Sequence, residues 1–276
     1  MEPTAPRLTQ RAATHREIVS WTQRPMKFLD RRLIPVHPVP MRTVFRHCFL
    51  VNFALRPDVL ASRLPHHVRP DVHDGWSYVS IVIAEMERMR PSFLPRALGI
   101  TYCQVVYRAV VVCGRERGVY FVRSDADNAL MVLAGNALTF FRFHGAAVAW
   151  SFSQGIVRFS LRPNGGEAAR IDAEYDVGDA DNQMPASSRF PTLERAQSFL
   201  TEKYVAFGTR RRDGTVDAVR IQRNDWRSSV VRDRIGLYEA MTSGVLFGRG
   251  QAELDSVFYV ERLNYHWHRG TVVDAS

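Results

Sequence analysis

The chain has 276 residues, 46% hydrophobic and 24% charged, an ordinary globular balance long enough to bury one large core or two smaller ones. No run approaches the roughly 18 consecutive apolar residues of a membrane helix, and the N-terminus lacks the apolar stretch of a secretory signal, so the reading is a soluble cytoplasmic protein without a membrane partner. The formal charge is +9, but its 37 basic residues, all arginine except Lys27 and Lys203, are scattered, which argues against a nucleic-acid partner while remaining compatible with an anionic small molecule.

Residues 1–42 read as an accessory N-terminal helix, with Ile18, Val19, Trp21, Phe28, Leu29 and Leu33 on its apolar side. A linker, "IPVHPVP", follows, whose prolines forbid a continued helix. Residues 43–276 are expected to form a single β-rich domain. Runs such as "TVFRHCFLVNF", "WSYVSIVIAEM", "TYCQVVYRAVVVC", "GVYFVRS", "GIVRFSLR" and "TVDAVRIQ" are β-branched and aromatic, and several alternate between apolar and polar positions. Asp74-Gly75 reads as a turn, and Arg210 to Gly214 as the tip of a hairpin. Three helices interrupt the strands: "RPDVLASRLP", the stretch from Asp127 to about Phe140, and "PTLERAQSFLTEKY", started by Pro191 or Thr192 and burying Leu193, Ala196, Phe199 and Leu200. Many strands with few helices predict an α+β fold, mainly antiparallel β, closed or strongly curved.

Cys48, Cys103 and Cys113 lack metal-ligand spacing and read as reduced, buried thiols. The histidines of "LPHHVRPDVHDG" and "YHWH" have no recognised ligand pattern, so no metal is expected. Glycine-rich phosphate loops and GxSxG elbows are absent, and no cofactor is implied.

The order of "DVHDGWSYVSIVIAEM", "TYCQVVYRAVVVCGRERGVYFVRSDADN", the helix ending at "FFRFHGAAV", and "FLTEKYVAF" resembles the YqjF-like, DUF2071-type bacterial family, over roughly Thr43 to Ser229. That resemblance implies an acetoacetate decarboxylase-like fold, a curved barrel-like cone around a pocket. It also implies a helix-to-strand junction at which the decarboxylases carry a Gly-Arg-Glu and a pair of lysines. Here the junction reads Ala134-Gly135-Asn136 at its start and "FRFHG" at its end, and Gln104 stands where a glutamate is expected. Arginine holds its proton and imidazole forms no stable imine, so Schiff-base chemistry is not expected. Lys203 reads as a surface charge snorkelling from its helix.

Two functions follow. The first is a pocket binding a small anionic or keto-acid-like metabolite, with homo-oligomer formation left open. The second is a lysine-independent lyase, isomerase or cyclase acting beside a carbonyl. Arg142 and His144, two apart on an extended segment, would share a face, Arg142 or Arg108 clamping an anion and His144 exchanging a proton. Gln104 and Arg108 share a face that is either the inner wall or the wet exterior. Arg123, Ser124, Asp125, Asp127 and Asn128 precede a helix, where Asp and Ser are expected caps and Asp125 is alternatively a base or an orienting partner. Asn136 is a candidate ligand hydrogen-bonder that cannot act as a general acid.

Overall fold

A computed structural model describes residues 36–166, 168–210, 215–224 and 226–273. The expected N-terminal helix, Lys27 and the tip at 211–214 lie outside the described residues. Pro35–Ser276 forms one compact unit.

Its elements are β1 (Met41–Leu55), α1 (Pro57–Ala61), β2 (Val68–Pro70), β3 (Ser77–Pro91), β4 (Ile100–Cys113), β5 (Glu116–Ala126), α2 (Ala129–Leu138), β6 (Phe143–Ser153), β7 (Ile156–Pro163) and β8 (Ile171–Asp181). After them come α3 (Leu193–Leu200), β9 (Val205–Thr209), β10 (Val216–Arg223), β11 (Ser229–Tyr238), α4 (Glu239–Thr242) and β12 (Ala252–Val272). The fold is therefore α+β and dominated by one largely antiparallel sheet, in the order β10-β9-β5-β6-β7-β8-β11-β12-β1-β3-β4-β2. Further pairings of β4 with β5 and β10 with β12 carry the hydrogen bonding through β12, β1, β3, β4, β5, β9 and β10 and back to β12. Among the described residues the parallel pairs are β5 with β6 and β5 with β9. A parallel pair needs a crossover, and α2 supplies it between β5 and β6.

The local chemistry of the helices is visible in their first turns. Thr192 caps α3 by accepting from the Arg195 N–H at 3.3 Å, and the helix buries Leu193, Ala196, Phe199 and Leu200. α2 is capped by Asn128, which accepts from Met131 N–H at 3.1 Å. This corrects the expectation that Asp or Ser would cap it: Ser124 and Asp125 belong to β5, and Asp127 uses its carboxylate to accept from the Cys103 N–H at 2.8 Å.

Both faces of the central strands are covered. Val105, Tyr107 and Ala109 of β4 pack with Phe49, Val51 and Phe53 of β1, while Tyr102, Val106 and Val110 pack with Cys48 and Leu50. All three cysteines are free and buried, and burial pushes the Cys48 thiol up to about 12.

Candidate functional site

The face of β4 that carries Tyr102, Gln104, Val106 and Arg108 is buried, and Gln104 and Arg108 are each only 6% exposed. Two adjoining chambers lie along it. The inner one, about 40 Å³, is walled by Phe45, Val106, Arg108, Phe121, Trp226 and Tyr265. The outer one, about 90 Å³, is walled by His37, Met41, Met89, Tyr102, Met131 and Ala134. Gln104, Phe141 and Trp267 line both. At the rise of an extended chain, Tyr102 and Arg108 stand about 20 Å apart along the strand.

The polar groups are unevenly distributed between the chambers. Arg108 donates from Nη2 to the Leu200 carbonyl at 3.1 Å, while its buried Nε has no partner. Among the described residues no carboxylate pairs with it, and burial drives its pKa down. The indole N–H groups of Trp226 and Trp267 are likewise buried without acceptors. Three side chains that line one chamber therefore each carry an unsatisfied donor, an arrangement that costs free energy until an acceptor enters. Tyr102 Oη donates to Gln104 Oε1 at 3.0 Å, so these two satisfy each other where the chambers meet. Tyr265 also lines an open cleft of about 340 Å³ with Arg42, Arg90, Arg223 and His266.

The other expected site residues do not line these chambers. Register pairs Tyr107 with Arg123 and Val105 with Asp125, which puts Arg123 and Asp125 on the face opposite Gln104 and Arg108. There Arg123 donates from Nε and Nη2 to Asp125 at 2.9 and 2.7 Å, with side-chain exposures of 7% and 0%. Asn136 reaches back to the start of β6, where its amide donates to the Phe143 carbonyl at 2.8 Å and accepts from the Phe143 N–H at 2.9 Å. It acts as one rung of a ladder between helix and strand.

Arg142 and His144 answer differently from the alternation expected of them. Arg142 precedes β6, is exposed, and has φ of +51°, so the extended geometry that would align it with His144 does not reach it. Register sets His144 beside Asp125 and Phe143 beside Ser124, and His144 Nδ1 donates to the Ser124 carbonyl at 3.2 Å. It is the phenylalanines that alternate with them, Phe141 and Phe143, that line the outer chamber.

Lys203 is not the surface charge expected from its sequence. Its side chain is 5% exposed, 3.5 Å from Asp71 Oδ2, with its ammonium 5.0 Å from the Phe199 ring centre. Burial lowers its pKa and the Asp71 charge opposes that shift. Asp71 is also gripped by Arg117 through two bonds of 2.8 and 2.7 Å. Lys203 lines neither chamber. Among the described residues no group of three or more His, Cys, Asp or Glu side chains converges as metal ligands.

Sequence reasoning passed over His37, Trp226 and Trp267. His37 sits in the proline segment at φ +51°, edge-on to Phe140 and Phe141, and its burial pushes its pKa down to about 3, so it is neutral at ordinary pH. The tryptophans carried a signal, an indole donor in a β-rich chain, but nothing in their neighbours marked them as interior.

Solved structures share this architecture. An acetoacetate decarboxylase from Legionella pneumophila aligns with a TM-score of 0.57 at 13% identity, over 85% of this chain and 87% of its own. An acetoacetate decarboxylase-like enzyme from Sphingomonas wittichii gives 0.59 at 12% identity, over 86% and 94%. The enduracididine biosynthesis enzyme MppR in complex with pyruvate gives 0.54 at 10% identity, over 86% and 91%. At these identities the likeness defines a fold class, that of the acetoacetate decarboxylases. The chain itself belongs to the DUF2071 family, described as an uncharacterized conserved protein, whose model matches residues 42–264. No protein of curated function matches it in sequence.

Proposed function

We propose that this protein binds a small organic acid in the two-chamber hollow, its carboxylate at Arg108, without Schiff-base chemistry. The observation that carries this is the buried Arg108 guanidinium, which has no carboxylate partner among the described residues and shares its chamber with two unsatisfied indole donors. A buried cation without a counter-ion is costly, and a ligand carboxylate supplies both the missing charge and acceptor oxygens for donors of this kind. We read the circuit of strands from β12 through β5 and back as the curved cone that encloses the hollow. The arginine-lined cleft sharing Tyr265 favours approach of an anion. The complex of MppR, an enzyme of the same fold class, with pyruvate is consistent with an organic acid as ligand. Imine formation finds no support, since among the described residues no lysine lines either chamber and Lys203 is held by Asp71. The enzymatic alternative built on His144 loses its geometry, because register sets His144 on the face away from Arg108.

The test is a titration of the purified protein with butanoate followed by tryptophan fluorescence, since Trp226 and Trp267 line the chamber. Saturable quenching is expected, and Arg108→Gln should weaken affinity about 10- to 150-fold, the worth of a hydrogen bond to a charged group. Trp226→Phe, which removes one donor and keeps an aromatic wall, should weaken it by a smaller factor. Affinities unchanged by both substitutions would refute the assignment.

A further inference from the structure

The two chambers differ in character, and the difference specifies the rest of the ligand. We infer that the acid bound here is a monocarboxylate carrying an apolar group, the carboxylate in the inner chamber and the hydrocarbon in the outer one; this rests on the reading of Arg108 above.

Among the described residues no charged side chain lines the outer chamber. Its walls are Met41, Met89 and Met131, the flat faces of Phe141 and Phe143, and the α2 surface at Ala134 and Gly135. Thioether side chains are unbranched and polarizable, suited to packing against hydrocarbon of irregular outline. Among the described residues none of the polar groups present carries a charge. The Tyr102 hydroxyl donates to Gln104 Oε1. Thr139 Oγ1 donates to the Gly135 carbonyl at 2.7 Å and accepts from the Phe141 N–H at 3.2 Å. His37 has its pKa near 3 and brings no charge, although its Nε2 is buried without a partner. The unsatisfied N–H donors of Arg108 and Trp226 belong to the inner chamber alone, and that of Trp267 stands on the wall common to both. A second carboxylate or phosphate in the outer chamber would be desolvated without a cation to pair with, whereas methylene groups there lose only water contacts.

The arrangement also sets direction. Residues on one face of β4 run from Tyr102 in the outer chamber through Gln104 at the shared wall to Arg108 in the inner one, so head and tail lie along the strand. Phe141 and Trp267 line both chambers and flank the carbon chain where it passes between them.

The experiment is isothermal titration of the full chain with propanoate, butanoate, hexanoate and octanoate, and with hexanedioate as a length-matched diacid. Affinity should rise about fourfold per added methylene until the outer chamber is filled. Hexanedioate should bind at least 100-fold more weakly than hexanoate. Ala134→Phe, which occupies the outer chamber from a half-buried helix position, should flatten the rise in affinity from propanoate to octanoate. Met131→Ala should instead move the best chain length upward, and it keeps the inference testable if Ala134→Phe does not fold. Equal affinities along the series, or hexanedioate binding as well as hexanoate, would overturn the apolar tail while leaving the carboxylate site standing. Failure of every acid to bind would bring down both.

Discussion

Truncating Asp125 to alanine is the sharpest test of which buried charges serve the core and which serve a ligand. Asp125 is wholly buried and takes two donors from Arg123, whose own side chain is 7% exposed, on the face of β4 and β5 opposite the chambers. Removing the carboxylate takes away the group that holds Nε and Nη2 of a buried guanidinium, which costs about 3–5 kcal/mol. In a domain of this size that lowers Tm by roughly 10 °C. Chemical denaturation of Asp125→Ala, Arg123→Met and the double variant forms the cycle, and the double variant should be more stable than Asp125→Ala, because the buried guanidinium that loses its carboxylate is removed with it. Butanoate affinity, measured below the unfolding transition, should stay within twofold of the parent. If Asp125→Ala left stability intact and abolished acid binding, the division of labour between the two faces of β4 would be wrong.

Two other outcomes follow from named contacts. His37 has a folded pKa near 3 against an unfolded value of 6.5, so below pH 6.5 the unfolded chain takes up a proton that the folded chain refuses. Stability therefore falls as pH drops from 6.5 toward 3, by a few kcal/mol over the window. His37→Asn, chosen because asparagine tolerates the positive φ, should show a slope shallower by one proton in urea melts across that range, and an unchanged slope would contradict the burial of the imidazole. Gly135→Ala, which in an open helix gains about 1 kcal/mol, should here destabilise by about 1–3 kcal/mol, because the new Cβ would lie 2.3 Å from the Phe143 ring. A rise in Tm would refute that packing.

Much of the fold was legible because strand periodicity and helix caps are local. The alternation in "TYCQVVYRAV" put Gln104, Val106 and Arg108 on one face, and Thr192 marked the start of α3 with the right four residues buried. Which face of β4 lined the hollow was not legible, because Val105 and Tyr107 on the other face are as deeply buried as Val106. Alternation distinguishes two sides of a strand but cannot say which is wet when neither is. Lys203 looked like a solvated charge because its partner Asp71 is far away in sequence and meets it only through the fold. Arg142 failed for a backbone reason: a left-handed residue ahead of the strand breaks the two-residue repeat. Asn136, expected near a ligand, instead completes backbone pairing to Phe143, a use of a side-chain amide that no spacing rule announces.

The burial of Lys203 has a practical use. An acylating reagent finds that amine shielded by Asp71 and the Phe199 ring for as long as α3 and β9 stay docked. Modification at Lys203, read by mass spectrometry against time, then counts the openings of that corner of the protein. Arginine supplies almost all the remaining positive charge and stays silent to such a reagent, so the signal arises against little background.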